Sequence, residues 1–276
     1  MTTGSINRQI RVTAGETVID YGVIDIDISK TADDNPPETK VTFHNLSRST
    51  EARFLPEQFV RVEAGQDRLQ QVFEGQILRI EKKIAKPDTS LTLFLSTHVL
   101  EKPRQINRSF STASLRVVVQ ELIAEMGLAP GDLSAIPPGL IIDQFAFQGF
   151  ASNGLRELLH PHGYTWYIEN GLVNVTSPGQ RNSIFSVYRL NSETGMVGSP
   201  ELTDTGARVK VLLDTPITLN QLVEVESSNY VYGYQDNEPY RDTRDIQEYK
   251  VFGMHYRGNN WGGNLTNTLR LETLIT

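Results

Sequence analysis

Alternation with a period of two constrains this chain more than any other feature of it. Ile24, Ile26 and Ile28 are separated by Asp25 and Asp27; Val60, Val62 and Ala64 by Arg61 and Glu63; Leu91, Leu93 and Leu95 are interleaved with Thr92, Phe94 and Ser96. Successive side chains of an extended strand point to opposite faces, so each run predicts a strand with one buried and one wet face. Ala14-Gly15, the stretch Ala32 to Pro37, Gly65-Gln66-Asp67 and Lys86-Pro87-Asp88 interrupt the pattern with residues that suit turns. Several strands at this spacing between Gln9 and Leu100 predict a small barrel or sandwich.

Near Thr112 the period becomes helical. Leu115, Val118, Val119, Leu122, Ile123 and Met126 fall on one face, Ser111 or Ser114 stands where a cap belongs, and Gly127 is placed to end the helix. After the small-residue and proline stretch Ala129 to Gly139, Ser152 is positioned to cap a second short helix, with Leu155, Leu158 and Leu159 inward and Gly163 past its end. Tyr164 to Glu169 and Leu172 to Thr176 flank Asn170-Gly171, a pair suited to the two positive φ angles of a tight hairpin.

Beyond Ser177-Pro178-Gly179, strand patterns return at Ser183 to Leu190, Ala207 to Leu213, Leu222 to Ser227, Glu248 to His255 and Thr266 to Leu274, with a polar insertion at Gln235 to Arg244. The last two flank a loop, Tyr256 to Asn264, that carries three glycines and three asparagines but no set of groups able to do chemistry. A chain of 276 residues exceeds the usual reach of one core, so two or three domains are expected. The fold class that follows is mainly β, α+β overall. Two β-barrel-like domains, 1–108 and 182–276, are expected to flank a small α+β domain, 109–181, of helices and a hairpin. No repeat with a period of about 20–50 residues is present, which excludes solenoids and propellers.

Charge argues against a nucleic-acid surface. The net charge is −7 and the pI near 5.3, whereas affinity for phosphate is built from clustered Lys and Arg. Residues 1–108 hold fifteen acids and fifteen bases, so the excess lies in the other two stretches, −3 over 109–181 and −4 over 182–276. Cysteine is absent, which excludes disulfides and thiolate metal sites. The segment Met1 to Val12 has no apolar core, and no run of about 18 apolar residues occurs, so neither a secretion signal nor a membrane span is expected.

Candidate chemistry is scattered. His160-Pro161-His162 is the only close histidine pair, and with His44, His98 or His255 it could in principle hold zinc; Pro161 breaks the spacing that places two imidazoles on one helical face, and a helix terminus is the plainer reading. Asp25 with Asp27, or Asp33 with Asp34, could supply a carboxylate pair for glycoside hydrolysis. The first pair reads more simply as a solvated strand face, the second as a turn before Asn35-Pro36-Pro37. No serine lies in a Gly-x-Ser-x-Gly elbow, and Gly258 to Asn264 lacks the lysine and following helix of a phosphate loop. Six of the ten tyrosines, Tyr230, Tyr232, Tyr234, Tyr240, Tyr249 and Tyr256, lie in the C-terminal stretch, where strand packing and a partner surface are both open readings. No catalytic, cofactor-binding or metal-binding residue is expected, and no cofactor.

Three fragments in fixed order carry a resemblance: Phe43-His44-Asn45-Leu46-Ser47, then Gln58 to Gly65, then Phe73-Glu74-Gly75-Gln76-Ile77. With the Asn170-Gly171 hairpin, Gly195 to Pro200, Val209 to Leu213 and Gly253 to Asn260, the chain resembles the baseplate hub proteins of contractile-tailed bacteriophages, which are related to the hub part of type VI secretion spikes. That resemblance implies a structural, non-enzymatic protein of the virion tail baseplate, assembled in the host cytoplasm. It implies a homotrimer whose two barrel-like domains per subunit make a pseudo-six-fold ring, joining the tail tube to a central spike, contacting other baseplate proteins and letting DNA pass without specific binding. An acidic channel would suit that passage. The alternatives are a tail-associated hydrolase of peptidoglycan or polysaccharide, or the hub of a phage-like bacteriocin or type VI spike.

Overall fold

A computed structural model describes residues 8–66, 68–97, 105–179, 186–227, 231–232, 247–261 and 265–274. Its dominant element is one sheet of 14 strands. Read from one end, the order is Thr17–Ile19, Gln9–Ala14, Phe59–Gly65, Gln70–Ala85, Asp88–Ser96, Thr39–His44, Ile24–Thr31, Gln247–Asn259, Thr266–Thr273, Gly206–Val211, Met196–Thr203 and Val231–Tyr232. Leu222–Val225 branches from the first half of Gln247–Asn259 and carries Tyr188–Leu190 on its other edge.

The two expected β-barrel-like domains do not form, because no sheet is closed among the described residues. Ile24–Thr31 has Thr39–His44 on one edge, and its other edge, through which the N-terminal strands would have to close, pairs with Gly253 to Asn259. Strands from the two ends of the chain therefore lie in one open sheet. Alternation dictates which face a side chain presents, but it carries no information about which strand takes a given edge. The faces themselves are as the pattern requires: Ile24, Ile26, Ile28, Val60, Val62, Ala64, Leu91, Leu93 and Leu95 are buried in one apolar cluster that also takes in Val209, Val251, Leu269 and Leu271.

Residues 105–179 build a second apolar cluster. The helix Leu115–Met126 buries all six residues of the expected stripe, each worth roughly 1.5–3 kcal/mol when fully removed from water. It ends at Gly127 with φ 76°, where a side chain would be strained. Ser114 occupies the N-cap position but its hydroxyl makes no cap hydrogen bond. The second helix is Ala151–Leu159, continued by a 3-10 turn over His160–His162; Phe150, not Ser152, is its N-cap residue. The hairpin forms as expected, with Thr165–Glu169 paired to Leu172–Thr176 and φ of 52° and 73° at Asn170 and Gly171. Three pairings in this part lay outside the sequence reading: Gln105–Phe110 with Phe145–Phe150, Ala113–Ser114 with Ile141–Ile142, and Ala129–Pro130 in parallel with Leu172–Val173. The Tyr256 to Asn259 part of the expected C-terminal loop is strand, so the turn begins at Asn260.

Candidate functional site

Polar groups that the sequence scatters converge where the second cluster meets the large sheet. Lys30, at the end of Ile24–Thr31, donates from Nζ to Glu169 Oε1 at 2.7 Å, with the two side chains 17% and 13% exposed. Burial alone would lower the pKa of Lys30, but Glu169, with a smaller contribution from Tyr256, outweighs it and the net shift is upward. Burial, and then the charge of Glu169, raises the Tyr167 phenol far above its usual range; burial likewise raises that of Tyr256.

Asp34 makes a second contact of the same kind. It is buried, accepts from Arg156 Nε at 2.6 Å and lies 3.1 Å from His160 Nε2. Asp33 instead accepts from Thr31 Oγ1 and Asn35 N, which makes it a turn residue. The hairpin tip adds a weaker contact, Gln71 Nε2 donating to Asn170 Oδ1 at 2.9 Å.

Lys250 is the third clamp. Only 2% exposed, it donates from Nζ to Thr176 Oγ1 at 2.7 Å and to Ser177 O at 2.8 Å, and Thr176 Oγ1 donates to Asn220 Oδ1 at 2.6 Å. The segment that leaves the hairpin is thereby pinned to the sheet. Burial pushes the ammonium down to about 8 from 10.5 in spite of Glu272 and Asp132. Between those two values the unfolded chain binds more protons than the folded one, so stability rises with pH across that window, by about 2 kcal/mol. Urea midpoints measured from about pH 7.5 to 9.5 are expected to climb in the native chain and to stay level in Lys250→Met. A level native profile contradicts this account of the lysine.

The remaining candidates fall on the solvent face of the sheet. His44 Nε2 lies 2.5 Å from Asp25 Oδ2, and His255 Nε2 lies 2.8 Å from Asp27 Oδ1, so each carboxylate of the strand pair holds its own histidine. Lys40 adds an ion pair to Asp27 at 3.8 Å. His160 and His162 do not meet His44 or His255 in a metal site: among the described residues no three His, Asp or Glu side chains converge. His98, Tyr230, Tyr234, Tyr240 and the Gln235 to Arg244 insertion lie outside the described residues, as does the side chain of Tyr232; Tyr249 and Tyr256 are buried. Among the described residues no helix is long and apolar enough to cross a membrane.

This arrangement holds two bodies of one chain together and leaves a broad sheet face to solvent. Sequence reasoning missed the junction because its partners are far apart in the chain, Lys30 from Glu169 by 139 residues and Arg156 from Asp34 by 122. The one local signal was Asp33-Asp34 followed by Asn35-Pro36-Pro37, a turn that presents a carboxylate.

No curated protein matches the chain. Solved structures share its fold at low identity. A 43 kDa tail protein of prophage MuSo2 from Shewanella oneidensis is similar at 9% identity and TM-score 0.66, over 96% of this chain and 97% of that one. A tail protein from Neisseria meningitidis MC58 is similar at 12% identity and TM-score 0.62, over 96% of both chains. The c3393 protein of E. coli, a component of the type VI secretion system with structural similarity to the bacteriophage T4 tail proteins gp27 and gp5, is similar at 10% identity and TM-score 0.61, over 96% of this chain and 77% of that one. Residues 39–229 match the family described as Baseplate hub gp41. That match spans well over half of the chain, which therefore belongs to the baseplate hub gp41 family and is a structural protein of the phage tail.

Proposed function

We propose that the chain works as a trimer in the virion baseplate, closing a pseudo-six-fold ring that joins the tail tube to the central spike and leaves a passage for DNA. Tube, spike and other baseplate proteins are its partners, and it performs no catalysis. The observation that carries this reading is the open sheet, whose order ends at Thr17–Ile19 and Val231–Tyr232 with no strand beyond either among the described residues. Unpaired edges invite association with wrong chains, and identical copies arranged about an axis satisfy them without aggregation. The family match supports the location, and the shared fold with other tail proteins supports the geometry.

Light scattering on the purified protein, with spike protein added, is expected to give three times the 31.0 kDa chain mass for this subunit, and image reconstruction a ring with a central hole. A monomer that persists at tens of micromolar, on the order of 10⁻⁵ M, sinks the reading, since that places the contact weaker than about −7 kcal/mol. Clearing of a peptidoglycan zymogram by the protein alone would favour a hydrolase instead.

A further inference from the structure

Asn-Gly occurs twice in the chain, at Asn153-Gly154 and at Asn170-Gly171, and the fold treats the two pairs differently. Glycine has no side chain to shield its peptide nitrogen, so that nitrogen can reach the side-chain carbonyl carbon of an asparagine before it. In the helix Ala151–Leu159 the approach is closed: Gly154 is buried, and the helical ladder commits its N–H to the carbonyl four residues back. At the hairpin tip it is open. Asn170 is exposed, φ is 52° at Asn170 and 73° at Gly171, and the strand ladder ends at Glu169 and Leu172, which leaves the Gly171 N–H outside it.

The large sheet adds a polarising group. Gln71 Nε2 donates to Asn170 Oδ1 at 2.9 Å, so the atom that gains negative charge when the carbonyl is attacked already holds a donor. The Asn170 Nδ2 group, the part that departs, has no partner among the described residues. A carboxylate also flanks the turn, since a Cβ at Gly171 would stand 4.0 Å from Glu74 Oε1.

We infer that Asn170 is a self-modification site at which the Gly171 nitrogen attacks Asn170 Cγ, closing a cyclic imide and releasing ammonia. The Gly171 N–Cγ bond forms and the Cγ–Nδ2 bond breaks; the Gly171 N–H proton passes to solvent, and the departing nitrogen takes one from water. Water then opens the imide at either carbonyl and leaves aspartate or isoaspartate, with no change of oxidation state. Either product sets a new carboxylate beside two others. Glu169 precedes it and Glu74 flanks it, and their cations, Lys30 and Arg61, are already engaged. Isoaspartate also lengthens the backbone inside the turn and disturbs the register of Thr165–Glu169 with Leu172–Thr176. The modification therefore loosens the hairpin where it meets the sheet, and it accumulates with the age of the molecule.

The test ages the full chain in warm, mildly alkaline buffer and reads both Asn-Gly peptides by mass spectrometry, with a urea-denatured sample beside it. In the folded chain Asn170 is expected to gain the mass of an amide-to-acid change while Asn153 stays intact; in urea both convert. Gln71→Ala, an exposed change whose fold is certified by an unaltered far-ultraviolet spectrum, is expected to slow conversion at Asn170 by roughly threefold to tenfold, the worth of one neutral hydrogen bond. Asn170→Asp carries the new charge from the start and is expected to unfold at lower urea than the native chain at neutral pH. A folded chain in which Asn170 lasts as long as Asn153, or a Gln71→Ala variant that converts as fast as native, overturns the site. An Asn170→Asp midpoint equal to that of the native chain overturns its effect on the junction.

Discussion

Replacing Trp166 with alanine is expected to cost about 4 kcal/mol, the upper part of the range for deleting a buried aromatic. Trp166 is fully buried in the second apolar cluster and stands opposite Val175 in the hairpin register, with Leu115, Val119 and Leu159 in the same cluster. That cluster draws on only about 75 residues, so the vacancy cannot be shared with the large sheet. A loss of this size is a large fraction of the roughly 5–15 kcal/mol that holds a domain together. The chain has two tryptophans, and the other, Trp261, is 80% exposed, so a blue-shifted component in the emission of the native protein is expected to come from Trp166. Urea unfolding followed by that emission in the native chain, and by far-ultraviolet signal in Trp166→Ala and Trp166→Phe, checks the expectation. A midpoint for the alanine variant within about 1 kcal/mol of native would mean that the cluster collapses onto the gap or is not the one described.

Lys30→Ala is expected to cost about 3–4 kcal/mol, because it strands the Glu169 carboxylate among Tyr167, Tyr256 and the sheet without a counter-charge. The desolvation of both ions opposes their attraction, so the pair itself adds little net stability; losing one member is what hurts. Lys30→Met with Glu169→Leu should therefore regain most of the loss, and Glu169→Gln alone should cost less than Lys30→Ala. Equal midpoints for native and Lys30→Ala would show that water reaches the carboxylate and that this clamp does not hold the two bodies.

What could be read from the sequence was whatever a window of about ten residues encodes. The six buried residues of Leu115–Met126, Gly127 at its end and the Asn170-Gly171 turn were all legible, since period and positive φ are local properties. The strand faces were legible for the same reason. Sheet closure was not, because the partner of Ile24–Thr31 is more than two hundred residues away and any apolar-faced strand would satisfy the same alternation. The short strand Gln105–Phe110 escaped because its sequence Gln-Ile-Asn-Arg-Ser-Phe has no alternation to show. On the solvent face of the sheet, Asp25 and Asp27 read as solvated residues, but His44 and His255, 19 and 228 residues distant, come to meet them. Lys250 gave no sign of burial, since one lysine in a strand carries the same local pattern whether its end is in water or against Thr176.

The pairing of Ile24–Thr31 with Gly253 to Asn259 sets a timetable for biosynthesis. Ile24 N donates to Asn260 Oδ1 across 236 residues, so on a ribosome moving at roughly 5–20 residues per second that edge waits roughly 10 to 50 s for its neighbour. Throughout that interval the nascent N-terminal strands present an apolar face and a vacant hydrogen-bonding border, while residues 105–179 can already have collapsed around Trp166. Polypeptides released early, lacking the final thirty or so residues, would keep that border indefinitely, which makes them natural clients for chaperones and natural seeds for inclusion bodies.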